Sequence, residues 1–355
     1  MHDTFRHGGD IYGYSQPVLD FSANLNPMGF PAGISQAVLN SLEQGEHYPD
    51  PFCRQLIQAL SHCEQIPPEW MICGNGAADL IYRLVWAVKP KKALLLSPCF
   101  SEYEQALQTV GAQSVHYSLD TEQNFSLTEQ ILTVLTPDLD CFFLCNPNNP
   151  TGLLVQPELL RAILKTSAKA GILVILDECF LDLTIQPEPY SGKPLLEQFP
   201  NLFLLKAFTK TYAMAGLRLG YGICSNSTLL QAVQNCGQPW SVSSVAQAAG
   251  ICALQDSDYL PQSRRLIQIE REFLKEQLHT QNLLFWNSQA NFLFFQAWPN
   301  LDQQLLRHGI AIRSCHNYRG LDHTYYRIAV RLPTENQRLI QAIKQIGGNH
   351  ASNYP

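Results

Sequence analysis

Lys206-Ala-Phe-Thr-Lys210-Thr-Tyr-Ala-Met-Ala-Gly-Leu-Arg218-Leu-Gly-Tyr221 is the stretch on which the reading of this chain turns. It follows an apolar run, Asn201-Leu-Phe-Leu-Leu205, and sets Lys210 and Arg218 eight residues apart on a glycine-broken loop. A lysine amine becomes a nucleophile when burial and nearby positive charge lower its pKa, and an arginine guanidinium pairs bidentately with phosphate. The pair therefore fits a site that binds a phosphorylated group beside a reactive amine. It also fits a lysine and an arginine facing solvent on a loop, and the rest of the chain decides between the two.

Upstream, Gly171-Ile-Leu-Val-Ile-Leu176 is apolar on both faces, as a central parallel strand should be, and ends at Asp177-Glu178-Cys179-Phe180. A carboxylate in that place is costly unless a cation partners it. Another apolar run, Cys141-Phe-Phe-Leu-Cys145, leads into Asn146-Pro147-Asn148-Asn149-Pro150-Thr151-Gly152, a run of turn chemistry that reads as a ligand loop. Trp70-Met-Ile-Cys73 reads as a short strand, and Gly74-Asn75-Gly76-Ala77-Ala78-Asp79 opens a helix whose apolar face is Leu80, Ile81, Leu84, Val85 and Val88. A glycine turn at a helix start presents unpaired N–H groups on the positive end of the dipole, which makes an anion cradle. A dinucleotide fingerprint would need a third glycine where Asp79 stands and an acid about twenty residues on. Neither is present, so the amides of Gly76 and Ala77 read as the cradle for a single phosphate. Leu94-Leu95-Leu96 is a further buried strand, running into Ser97-Pro98-Cys99-Phe100. Ligand chemistry thus gathers beyond the C-terminal ends of apolar strands, where open parallel sheets place their ligands.

Composition narrows the function class. The 355 residues are 46% hydrophobic and 15% charged, an ordinary globular balance with enough apolar content for one large domain and a smaller one. A formal net charge of -6 and the lack of a basic run argue against nucleic acid or an anionic membrane as partner. Eleven cysteines, an odd number with no CxxC pair, suit buried small hydrophobes in a reducing compartment better than a disulfide or zinc framework. The start, Met1-His-Asp-Thr-Phe-Arg-His7, does not read as a signal peptide, and no apolar run reaches membrane-spanning length. A cytoplasmic protein without metal chemistry is expected.

The remaining segments are legible in outline. His7-Gly8-Gly9-Asp10 and Asp20-Phe-Ser-Ala-Asn24-Leu-Asn26-Pro27 form an N-terminal arm with turns, and the two glycines allow it to fold closely over a ligand. His47-Tyr48-Pro49-Asp50-Pro51 is a rigid turn before a helix carrying Leu56 and Leu60. A long helix is expected from about Leu260 to His279, then a strand at Asn291-Phe-Leu-Phe-Phe295. Arg313, Arg327 and Arg331 interrupt or end short apolar strands; such arginines point to solvent as often as to a ligand. The tail Ala351-Ser-Asn-Tyr-Pro355 reads as disordered.

Taken together these motifs resemble the fold-type I pyridoxal-phosphate enzymes of the class I and II aminotransferase superfamily. Asn146 to Gly152 matches their Asn-Pro-Asn-Asn-Pro-Thr-Gly signature, and Lys210 with Arg218 matches their lysine segment. The resemblance implies an α/β fold, aspartate aminotransferase-like: an N-terminal arm (1–30) packing on the small domain and active site, a large domain on a mostly parallel sheet (31–245), and a smaller α/β C-terminal domain (246–355). It implies that Lys210 carries pyridoxal 5'-phosphate and that Arg218, Thr209 and the amides of Gly76 and Ala77 hold its phosphate. It further implies that Phe100 stacks on the pyridine ring, that Asn149 donates to the phenolic oxygen, and that Asp177 keeps the ring nitrogen protonated. In the histidinol-phosphate aminotransferase branch a Tyr-Pro step at the place of Tyr48 reaches the cofactor phosphate of the neighbouring subunit, which implies a homodimer. Two residues depart from the usual pattern. Phe180 stands where a tyrosine usually donates to the cofactor oxygen, and Ala207 where many relatives carry a second hydroxyl.

Within that fold the chain is most similar to the threonine-phosphate decarboxylases of cobalamin biosynthesis, through His7-Gly8-Gly9, Asp20 to Pro27, Asp177 to Phe180, Thr209 to Tyr212, Asn317-Tyr318-Arg-Gly320-Leu321 and Tyr326-Arg327-Ile-Ala-Val-Arg331. This resemblance implies O-phospho-L-threonine or O-phospho-L-serine as substrate, with Arg313 and His7 at its phosphate, Arg327 at its carboxylate and Asn149 alongside. Carbon dioxide would leave, Lys210 would return a proton to Cα, and the product would be an amino-alcohol phosphate. A histidinol-phosphate-type aminotransferase shares the fold and the phosphate-binding arginines and is the first alternative. A cofactor-sensing regulator on the same fold is the second; the basic DNA-binding segment of such proteins is missing from the N-terminus.

Overall fold

The computed structural model describes residues 7–351. The readings placed on the first six residues and on the tail past residue 351 lie outside the described residues. Among the described residues thirteen strands are formed: β1 (Leu19–Asp20), β2 (Met71–Gly74), β3 (Lys92–Ser97), β4 (Gln113–Ser118), β5 (Cys141–Cys145), β6 (Leu173–Asp177), β7 (Leu202–Ala207), β8 (Gly220–Ile223), β9 (Leu284–Phe285), β10 (Phe292–Gln296), β11 (Ile310–Ala311), β12 (Arg313–Ser314) and β13 (Tyr325–Ala329).

Seven of them build one sheet in the order β2-β8-β7-β6-β5-β3-β4. The neighbours from β7 to β4 run parallel, and β8 alone runs antiparallel, against both β7 and β2. Continuous apolar runs suit this sheet because both of its faces are covered. Alternate residues of each strand enter different cores: Leu94, Phe142, Leu144, Val174 and Leu204 join one, and Leu95, Phe143, Ile175, Phe203 and Leu205 the other. Each such side chain contributes about 1.5–3 kcal/mol on burial, so the sheet is a stiff platform for the loops at its edge.

The helix that Gly76 opens runs Gly76–Val88 and buries Leu80, Ile81, Leu84 and Val85. Its N-terminus is pressed against β8, where a Cβ on Gly220 would stand 2.4 Å from the backbone nitrogen of Ala77. Only a glycine admits that approach. The expected long helix spans Tyr259–Thr280, one residue beyond the expected bounds at each end.

A second, antiparallel sheet, β12-β13-β10-β9, packs with the helices Tyr259–Thr280 and Pro333–Ala351 around a core that includes Ile267, Leu274, Phe295, Ile328, Leu339 and Ile343. The N-terminal arm is tied into this part. β1 pairs in parallel with β11, Leu19 opposite Ile310, and Phe21 is wholly buried in the same core. By contrast the helix Ser244–Gln255 places Ala246, Ala249 and Ala253 in the core of the large sheet.

Candidate active site

A cavity of about 930 Å³ opens where β5, β6 and β7 end, walled on its far side by β12, β13 and the N-terminal arm. Lys210 stands in its wall, on the short helix Phe208–Thr211 that begins as β7 stops. Loss of solvent around the amine, then the positive charge of Arg327, lowers the Lys210 pKa to about 8. Lys206, four residues earlier on β7, is the opposite case. Burial disfavours its charge, but Asp182 and Glu64, each 3.0 Å away, outweigh it and raise the pKa well above the ordinary value. Of the two amines in the opening stretch, Lys210 is the one prepared to act as a nucleophile.

Asp177 ends β6 at 5% exposure. Its carboxylate accepts from the Tyr103 hydroxyl at 2.5 Å and from the Cys179 amide at 2.9 Å, and among the described residues no ion pair reaches it. A buried anion held by neutral donors and facing a cavity fits a ligand that brings a positive ring nitrogen. Burial and the Asp177 charge raise the Tyr103 pKa far above its usual range, so its hydroxyl stays a donor. Phe100, half-buried, meets Tyr103 edge-on at 5.6 Å, and both line the cavity with Ala77, Thr209 and Arg218.

The helix Gly76–Val88 starts without a side-chain cap. Gly76 has φ +80°, and a Cβ there would lie 2.6 Å from Nη2 of Arg218. Uncapped amides under a guanidinium, with Thr209 alongside, form a cradle that fits a phosphate. The donor set and the unpaired carboxylate together fit pyridoxal 5'-phosphate. Ala207 lines the same wall without a hydroxyl. Phe180 places its ring 5.7 Å from the Lys210 nitrogen and packs edge-on against Phe292.

Arg313 and Arg327 are direct partners across β12 and β13, so they share one face of the small sheet, and both line the cavity at 6% exposure. Arg327 donates from Nη1 to Oδ1 of Asn149 and from Nη2 to the Ser22 carbonyl at 2.8 Å. Asn149 thereby uses its oxygen on Arg327 and, at 3.3 Å, on the Tyr318 hydroxyl, which leaves Nδ2 as the donor of this amide. Arg313 donates to Asn317 at 2.7 Å and lies 5.3 Å from the Tyr318 ring centroid.

The arm closes the cavity. His7 is in its lining, as is Asn24, whose side-chain oxygen and nitrogen are both buried without a protein partner. Asn26 ties the arm to the lysine loop: its amide donates to the Lys210 carbonyl at 3.1 Å and its side chain to the Thr211 carbonyl at 2.9 Å. Asn24, Tyr103 and Tyr318 are site residues that the sequence reading did not single out. Tyr103 follows Phe100 by three residues, just inside the helix Glu102–Gln108, and Tyr318 sits within a quoted motif, so spacing could have flagged them; the orphaned amide of Asn24 shows only in three dimensions.

Tyr48 and Arg331 lie elsewhere. Tyr48 is 78% exposed and stacks on Trp240 at 4.3 Å, outside the cavity of its own chain. Arg331 donates to the Asp20 carbonyl and pairs with Glu335, both near 2.9 Å or less, and so anchors β1.

Comparison with known proteins gives consistent relatives. The model of the family described as aminotransferase class I and II matches residues 17–343. The chain is 38% identical over 351 residues to a threonine-phosphate decarboxylase of Salmonella typhimurium, covering 96% of each. It is 33% identical to a histidinol-phosphate aminotransferase of Desulfitobacterium hafniense, covering 91% of this chain and 90% of that one. Among solved structures, the histidinol-phosphate aminotransferase from Clostridium acetobutylicum superposes with a TM-score of 0.87 at 28% identity, over 94% of this chain and all of the other.

Proposed function

The chain belongs to the aminotransferase class I and II family and is a pyridoxal-phosphate enzyme, and from that premise we propose that it decarboxylates O-phospho-L-threonine, or O-phospho-L-serine, to the amino-alcohol phosphate used in the cobalamin nucleotide loop. The observation that carries this reading is the pair Arg313 and Arg327, buried and directly opposite each other at the cavity that holds Lys210. Like charges in that register are destabilising by themselves. A phosphorylated amino acid brings two anions, a phosphate for Arg313 and a carboxylate for Arg327. The similarity to a threonine-phosphate decarboxylase at 38% identity, and Phe180 in place of a tyrosine, favour loss of the carboxylate over amino transfer.

In this reading Lys210 carries the cofactor. Arg218, Thr209 and the amides of Gly76 and Ala77 hold its phosphate, Phe100 covers its ring, Asn149 meets its phenolic oxygen and Asp177 its ring nitrogen. Bound pyridoxal phosphate supplies the sink for the electron pair released at Cα when carbon dioxide departs. The protein's part is orientation and proton handling. Arg313 with His7 at one end of the substrate, and Arg327 with Asn149 at the other, fix which bond at Cα is presented for cleavage. Lys210, with a pKa of about 8, holds a proton near neutrality and delivers it to Cα in place of the lost carboxylate. Phe180 walls the amine with an apolar ring and offers no competing proton donor.

We further propose a homodimer in which Tyr48 serves the partner's site; its high exposure and its distance from its own cavity support this. Eleven free cysteines support a reducing, cytoplasmic setting. No helix among the described residues is long and apolar enough to cross a membrane.

The test is direct. The holoenzyme incubated with O-phospho-L-threonine and no keto acid should release carbon dioxide and form the amino-alcohol phosphate. Turnover that requires 2-oxoglutarate with histidinol phosphate would instead establish the second reading, a histidinol-phosphate aminotransferase, which the 33% identical relative favours. Side-by-side rates on phosphothreonine and phosphoserine rank the two substrates; one methyl group is worth about 1–3 kcal/mol.

A further inference from the structure

We propose that Glu102 is a positioning residue for the substrate phosphate, holding His7 across the mouth of the cavity so that the N-terminal arm is latched over a phosphorylated ligand. The inference rests on the reading that the ligand carries a phosphate. Glu102 belongs to the helix Glu102–Gln108 on the large-sheet side, and its Oε1 lies 2.7 Å from Nε2 of His7, 95 residues away in sequence. Its other oxygen accepts from the Tyr82 hydroxyl at 3.2 Å. Burial and the Glu102 charge raise the Tyr82 pKa to about 12, so this hydroxyl remains a donor and fixes the carboxylate. The His7 ring also lies 5.7 Å from Phe100.

The arm is clamped on its other side as well. A Cβ on Gly8 would stand 2.2 Å from the Ser22 carbonyl oxygen, and the Gly9 amide donates to Oγ of Ser22 at 2.7 Å. That same Ser22 carbonyl accepts from Arg327 at 2.8 Å. Residues 7–9 therefore bridge Glu102 on the large-sheet side to the arginine of the small sheet, with the cavity between them.

The chemistry of the contact specifies the ligand. A carboxylate lining a phosphate site repels its ligand unless a cation stands between them. The ring that meets Glu102 through Nε2 has its other nitrogen, Nδ1, left to turn towards a phosphate oxygen, and a hydrogen on both nitrogens lets it serve the two at once. Glu102 thus acts through His7, and the pair reads the phosphate rather than the amino-acid part.

Binding of O-phospho-L-threonine and of L-threonine to the holoenzyme, followed by the change in cofactor absorbance, tests this. Glu102→Ala should weaken the phosphorylated ligand by about tenfold or more, the scale of one charge-assisted hydrogen bond, and L-threonine by less than about twofold. Glu102→Gln, which keeps an acceptor for the ring, should recover part of the loss. His7→Ala should match Glu102→Ala, and the double variant should lose little more than either single one, since both remove the same interaction. Equal weakening of both ligands, or losses that add fully in the double variant, would show Glu102 to be merely structural and overturn the proposal. If the wild-type holoenzyme proves to be a histidinol-phosphate aminotransferase, the proposed reaction fails separately, and the same variants are scored on histidinol phosphate against histidinol.

Discussion

Lys206 and Lys210 show how little distance separates a structural amine from a reactive one. Lys206 is locked between Glu64 and Asp182, whereas Lys210 faces Arg327 and Arg218 across the cavity. Competitive acetylation of the cofactor-free protein, read by mass spectrometry, should give Lys210 a midpoint near pH 8, with the reactive free amine appearing above it. Arg327→Met should move that midpoint upward, because one positive neighbour is gone. A midpoint in the ordinary lysine range in the wild type would contradict the account. At this scale the spacing of Lys210 and Arg218 was legible because both roles need a charged group at a loop. Asn24 was not legible, since its significance lies in a buried amide left without partners, and burial of a polar residue in an arm follows from packing far away in the chain.

Elements place these residues by where strands stop. Asn149, Asp177 and Lys210 each follow a strand whose unbroken apolar run marks it as central, and the strands at Cys141–Cys145, Leu173–Asp177 and Leu202–Ala207 form where that pattern predicts. The short strands β11 and β12 are harder to foresee, because two residues carry no period; their positions depend on pairing with β1 and β13. Consequently the local pattern left Arg313 and Arg327 open between solvent and ligand, their ligand roles came only from the family resemblance, and the cross-strand register sets them side by side. The start of the helix Gly76–Val88 carries a sharper expectation. Gly76→Ala would put a Cβ 2.6 Å from Arg218 at a φ of +80°. It should weaken cofactor binding by about tenfold or more in a spectroscopic titration, as expected when a charge-assisted contact is displaced. The same change should cost the fold only about 1–2 kcal/mol in thermal or denaturant unfolding. Unchanged cofactor affinity would show that this cradle does not hold the phosphate.

For the whole molecule, one buried network behind the site couples folding to pH. Burial favours the neutral form of Glu64, but Lys206, Lys193 and the Tyr221 hydroxyl outweigh it and lower the pKa from 4.5 to about 2. A depressed carboxyl stabilises the fold above its unfolded pKa, and that contribution is lost as pH falls from 4.5 towards about 2. Its size is on the order of 3 kcal/mol. Glu178 does not mask the effect, because burial raises its pKa to about 7 and it stays protonated through that window. Denaturant unfolding of wild type and Glu64→Gln should therefore differ most near pH 4.5 and above, and converge towards pH 2. Parallel curves would place the acid sensitivity elsewhere.

In the proposed function the two sheets, the arm and the cavity between them converge on one amine, that of Lys210, as the attachment point of the cofactor. Borohydride reduction of the holoenzyme followed by peptide mapping tests that most directly. The pyridoxyl mass should appear on Lys210 and vanish in Lys210→Ala; its appearance on Lys206, or its persistence in the variant, would contradict the account.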